Sequence, residues 1–172
     1  FLLFLDAADL LAPRPLGARV AFLAARPTAG VSVCRNRQFI DTMPDGQPRP
    51  GPPWYLPPRD LAPRLLHFNL APPHAWLLRR HVVDAVGLFD TGLRACEDHD
   101  YWLRALVAGH APLYSPVGEV FYRKHPASMS ADHTRQWRHD AILHERILDA
   151  LARHGDLGLG RAAWLAAWSG AC

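Results

Sequence analysis

Three polar clusters have the residue types and spacing to do chemistry: Asp6 with Asp9, Glu97 with Asp98 and Asp100, and Arg123 with His125. Two carboxylates at a strand tip can hold a hard divalent cation, which takes oxygen ligands and substrate phosphates. A carboxylate at a helix start can act as general base when it faces a hydroxyl. An imidazole nearby can complete a metal shell. Each cluster also has an ordinary reading. Acids in a first helical turn offset the helix dipole. Asp6 and Asp9 can be a strand end and an N-cap. A single histidine such as His125 can be a surface side chain.

These clusters need elements to position them. Phe1–Leu5 is a continuous apolar run, which predicts a strand buried on both faces with Asp6 and Asp9 at its tip. Ligands of open α/β sheets bind beyond the carboxyl ends of such strands. A helix is expected over 10–25, a strand over 30–40 and a turn at Asp45-Gly46. Residues 44–63 are rich in Pro, Gly and Arg and read as a loop, whose Trp54 and Tyr55 line a pocket or anchor the loop on the core. A short strand at 75–78, a short helix at 81–86 stopped by Gly87, and a helix at 101–108 with Gly109 as its C-cap candidate follow. Residues 113–122 predict one or two short strands around Pro116-Val117-Gly118. Residues 132–154 predict a long amphipathic helix with Trp137, Ala141, Leu148 and Ala152 on its buried stripe.

The bulk composition excludes several classes. The 172 residues can bury one core, and 49% hydrophobic with 20% charged residues is ordinary for a globular chain. The net charge of +3 is dispersed, with no basic stripe interleaved with aromatics, so no nucleic-acid partner is expected. Three scattered cysteines, Cys34, Cys96 and Cys172, match neither a disulfide framework nor a zinc pair, and a reducing, cytoplasmic compartment is the default. Phe1–Leu5 is far shorter than the roughly 20 apolar residues of a membrane span. It has no positive n-region and no starting methionine. A core strand at the start of the chain lacks neighbours, so an N-terminal part is expected to precede it. His144-Glu145 is followed by Leu148 where a zinc-protease helix needs histidine, and there is neither a glycine-rich phosphate loop nor a G-x-S-x-G elbow.

Order and spacing narrow the reading. FLDAAD, about ninety residues, GLFDTGLRACEDHDYWLRALVAGH and then VFYRKHPASMS closely resemble family 2 glycosyltransferases. In that family a strand ends in a D-x-D motif within F-L-D-A-D-D. A G-G-F-D-E…E-D-x-D-x-W-x-R block carries the base, and Y-R-x-H-x-x-S-x-S closes the site. Gly87, Phe89, Asp90, Glu97, Asp98, Asp100, Trp102 and Arg104 match the second block; Tyr122, Arg123, His125, Ser128 and Ser130 match the third. The resemblance implies an α/β fold: a partial GT-A, Rossmann-like domain lacking its N-terminal half over 1–131, and a C-terminal helical segment over 132–172. It implies inverting transfer of a sugar from a nucleotide-diphospho-sugar donor to a saccharide or lipid-linked acceptor at the inner face of a membrane. Asp98 would be the catalytic base, Glu97 and Arg123 substrate-binding residues, and Asp6, Asp9 and His125 ligands of a divalent cation (Mn or Mg). Without the missing half, the chain by itself is expected to be inactive. One departure matters: Ala8 stands where the second acid of D-x-D belongs. Asp9 is adjacent, but neighbours on an extended strand point oppositely. A sugar-nucleotide-binding domain without catalysis and a metal-dependent phosphohydrolase are the rival readings.

Overall fold

The computed structural model describes residues 1–12, 15–39, 53–54, 61–124, 128 and 132–154. The Asp45-Gly46 turn, Tyr55, His125 and residues 155–172 lie outside them, as does most of the proline-rich segment. The architecture is mixed α/β. Strands β1 (Leu10–Leu11), β2 (Val31–Phe39), β3 (Pro53–Trp54), β4 (Trp76–Leu78) and β5 (Pro112–Arg123) form one sheet. Helices α1 (Pro15–Ala24), α2 (Leu61–Leu65), α3 (Arg80–Val86), α4 (Glu97–Val107) and α5 (His133–His154) accompany it, and a 3-10 turn spans Pro73–Ala75. The sheet is ordered β1-β5-β2-β3, with β4 sharing the β3 edge of β2. Among the described residues only β2 and β5 are parallel. No helix among the described residues is long and apolar enough to cross a membrane.

β2 is the central strand. Val31, Val33 and Phe39 are buried on it, and so are Ser32, Cys34 and Asn36 between them. A strand covered on both faces needs no polar alternation. β5 is one continuous strand, the first of the one or two that residues 113–122 left open. The register passes from Cys34 opposite Ser115 to Arg35 opposite Glu119, and residues 116–118 bulge out of the ladder. Pro116 has no N–H to donate, and Gly118 takes φ +87°, so the bulge falls where the ladder is weakest.

The apolar start differs from the expected central strand. Phe1–Leu5 is extended but makes a single bridge, Leu2 with Leu78, and Phe1 and Leu5 are about half exposed. β4 is too short to pair further. Phe4 packs inward instead, edge-on to Phe89 and Tyr101 at 5.0 and 5.8 Å. Asp6–Asp9 then forms a turn closed by Asp9 N–H to the Asp6 carbonyl at 3.1 Å. The chain reverses into β1, so Leu10 and Leu11 pair with β5 and are not helical. α1 begins at Pro15, whose fixed φ suits a first helical position.

The core forms where α4 meets the sheet. Trp76 and Trp102 stack at 4.4 Å with ring planes 12° apart, and Trp76 Nε1 donates to the Ala71 carbonyl. Arg19 reaches through the core from α1 and donates to the carbonyls of His74 and Ala75, fixing the 3-10 turn. α5 joins the same core, but on a face rotated from the expected one. Leu143 and Ile147 are buried, while Trp137 is 74% exposed and Ala141, Leu148 and Ala152 face outward. Arg146 sets this rotation through bonds to Asp90 and Asp100, both at 2.9 Å.

Candidate active site

α4 begins at Glu97, four residues before the expected start, and takes all three acids into its first turn. Cys96 precedes it in a left-handed conformation (φ 58°) rare for a residue with a Cβ. The three acids diverge from there. Asp100 points inward and accepts from Arg104 at 2.8 Å and from Arg146 at 2.9 Å. Arg104 also donates to the carbonyls of Val86 and Leu88, so the D-x-x-x-R spacing fastens the end of α3 and the Gly87 turn onto α4. Trp102 is core. Glu97 and Asp98 remain for the surface, where both line a cleft of about 630 Å³. That volume suits a small-molecule site.

The cleft is assembled from five parts of the chain. The Asp6–Asp9 turn contributes Asp6, and the sheet contributes Asn36, Gln38, Tyr122 and, just beyond β5, Lys124. The 67–73 segment and the first turn of α4 form its floor and side, while α5 adds Gln136, Trp137 and Asp140. Asp98 is half-buried here. Its Oδ2 accepts from Asn69 Nδ2 at 2.6 Å, and its Oδ1 accepts from the His99 backbone N–H at 2.8 Å. Burial pushes its pKa up from the usual carboxylate range to about 6, with Glu97 adding repulsion and Asn69 opposing the rise. The cleft histidines are held toward the neutral form: burial lowers the pKa of His67 and of His99, whose Nε2 donates to the Leu65 carbonyl. Burial drives the Cys96 thiol up to about 12, which removes it as a nucleophile at neutral pH.

The structure brings Asp6, Glu97 and Asp98 together and leaves Asp9 and Arg123 out of the cleft lining. Asp9, expected as a metal ligand, is buried behind the turn. Its Oδ1 accepts the Arg123 backbone N–H at 2.8 Å, and its Oδ2 lies 3.1 Å from His74 Nδ1, at ion-pair distance but without hydrogen-bond alignment. Arg123, expected on the substrate, donates from Nε to the Ala8 carbonyl and lies over the Phe39 ring at 4.6 Å. Strand alternation accounts for this: Tyr122 and Lys124 face the cleft, so Arg123 faces away. Among the described residues no group of three His, Cys, Asp or Glu side chains is placed to hold a metal ion, and His125 lies outside them. A divalent cation held jointly by Asp6 and Asp9 does not fit this donor set, because Asp9 is buried outside the cleft lining, with Oδ1 on the Arg123 N–H and Oδ2 facing His74.

Asp9 is therefore expected to act as a latch. Asp9→Ala strands the Arg123 N–H, a loss of about 1–3 kcal/mol in denaturant unfolding. Manganese should not change that difference. A manganese-dependent stabilisation present in the wild type and absent from Asp9→Ala would restore the metal role.

Sequence reasoning missed Asn69, Lys124, Gln136 and Asp140. Asn69 belongs to no motif, and the α5 residues were hidden by the misplaced stripe. Lys124 carried a signal in the composition, since it is the single lysine of the chain. Neither the family models nor the curated proteins compared with the chain match it.

Proposed function

We propose that the chain is the acceptor-side part of an inverting glycosyltransferase domain of the GT-A kind, moving a sugar from a nucleotide-diphospho-sugar to an acceptor hydroxyl. The observation that carries this reading is Asp98: a half-buried carboxylate in a ligand-sized cleft, oriented by Asn69, with its pKa moved to about 6. The resemblance of FLDAAD, EDHDYWLR and YRKH to family 2 glycosyltransferases supports it independently. In the proposed step the acceptor oxygen attacks the anomeric carbon of the donor. The Asp98 carboxylate takes the hydroxyl proton, and the bond to the diphosphate breaks with its electron pair leaving on the diphosphate oxygen. Glu97, beside the base, offers a carboxylate to the other acceptor hydroxyls. No step is assigned to a metal.

The test is acceptor-dependent formation of a glycosylated product by the natural full-length protein carrying this chain. Hydrolysis of donor without acceptor-dependent product would favour a phosphohydrolase. The pH profile has a definite sign. The reactive form of Asp98 is ionised, so kcat/KM should fall tenfold per unit as pH drops below about 6 and level off above it. A profile flat down to pH 5 would exclude Asp98 as the base. A second reading, sugar-nucleotide binding without transfer, is favoured by Ala8 and by the commitment of Asp9 to protein partners. Donor binding with no product from any acceptor would select it.

A further inference from the structure

The cleft is polarised by the elements that build it. α4 and α5 supply Glu97, Asp98 and Asp140, and the Asp6–Asp9 turn supplies Asp6. Among the described residues the sheet supplies the neutral side chains Asn36, Gln38 and Tyr122, and then Lys124. Lys124 is the single lysine in a chain whose other Lys/Arg positions are all arginine, and among the described residues no arginine lines the cleft. Its backbone N–H donates to the Phe39 carbonyl at 2.8 Å, which pins it at the carboxyl ends of β2 and β5, the parallel pair. Ligands of α/β sheets collect beyond such ends. Its ammonium lies 4.9 Å from the Tyr122 ring centroid, and burial lowers its pKa.

We propose that Lys124 binds the diphosphate of the donor, so that the sheet side of the cleft is the donor-phosphate subsite and the acidic helical side is left to the acceptor. This assignment rests on the glycosyl-transfer reading and gives that reaction a protein cation where the turn offers no complete metal set. The four acids keep phosphate away from the rest of the cleft, so the lysine orients the donor as well as attracting it. Lysine suits the task as a compact point charge on a flexible stem.

The test is chemical. The full-length protein is treated with an amine-acylating reagent, with chelator present, and the modification of Lys124 is followed by peptide mapping. Inorganic pyrophosphate should slow acylation of Lys124 in a concentration-dependent way, because a bound anion blocks the amine and holds its proton. A neutral disaccharide should not. Lys124→Met should bind pyrophosphate about 10–100-fold more weakly, the loss of one charge-assisted contact. Lys124→Arg should recover most of that affinity. Unchanged acylation with pyrophosphate, or protection that appears only when manganese is added, overturns the proposal. The two readings separate cleanly. Protection without any transfer leaves the anion subsite standing and removes the glycosyltransferase; transfer without protection does the reverse.

Discussion

Asp98→Asn is expected to abolish sugar transfer while leaving donor binding almost unchanged. The amide keeps the shape, and its oxygen still accepts from Asn69 or from the His99 N–H, so the first turn of α4 survives. It cannot take the acceptor proton. A positioned base contributes about 10²–10⁴-fold, and the loss should lie in that range, in kcat. If the acid served only the helix dipole, the change would cost a fraction of a kcal/mol and leave turnover alone. Saturating donor and acceptor make the comparison direct: equal turnover in the two proteins ends the assignment. Stability supplies a readout that does not depend on activity. Burial raises the Asp98 pKa from 3.8 to about 6, so in that interval the folded state holds the proton that the unfolded chain releases. Stability should therefore fall as pH rises from about 4 to about 6. The Asn variant, lacking the group, should show a shallower fall.

Trp102→Ala is expected to be the most destabilising single change. Trp102 is 1% exposed, stacked on Trp76 and edge-on to Tyr101 at 5.3 Å. Truncating a buried Trp costs about 3–5 kcal/mol, against a total of about 5–15 kcal/mol for a domain. Trp102 also holds α4 against the sheet, and α4 carries Asp98. The variant should show a large drop in urea midpoint, and transfer should fail with it. Trp102→Phe, which keeps an aromatic ring on Trp76, should lose much less. The indole N–H has no hydrogen-bond partner among the described residues, so little polar bonding is forfeited. A Trp102→Ala protein with a nearly unchanged midpoint would mean that the stacked pair does not organise this core.

These two residues lie four apart in EDHDYWLR, and the chain announced both roles locally. A carboxylate pair ahead of an apolar helical pattern marks a helix start, and Trp102, Leu103 and Leu106 at helical spacing mark its buried face. β2, α3 and the Gly87 stop were legible for the same reason: hydrophobic period and glycine conformation are properties of a few adjacent residues. Gly87 sits at φ +81°, a conformation that residues with a Cβ rarely adopt. α5 was legible as a helix but not in its orientation. Its sequence carries two apolar stripes about one residue apart in angle, and the choice of Leu143 and Ile147 over Trp137 and Leu148 depends on where Arg146 finds Asp90 and Asp100. Those acids are more than forty residues away along the chain, so no local pattern records the decision.

The site divides along the same line. Asp98 and Glu97 could be nominated from residue type and spacing at a helix start, but their separation from Asp100, which turns inward to Arg104 and Arg146, could not. Asp6 and Asp9 looked equivalent in FLDAAD. Tertiary structure separated them by turning the chain between them, sending Asp6 to the cleft and Asp9 inward to His74 and the Arg123 N–H. Arg123 and Lys124 were separated by the pleat of β5, which depends on the register against β2 and on the bulge at 116–118. A strand states only that neighbours face opposite ways. Which of the two faces the cleft is decided by the pairing partner, and that partner lies some eighty residues earlier in the chain.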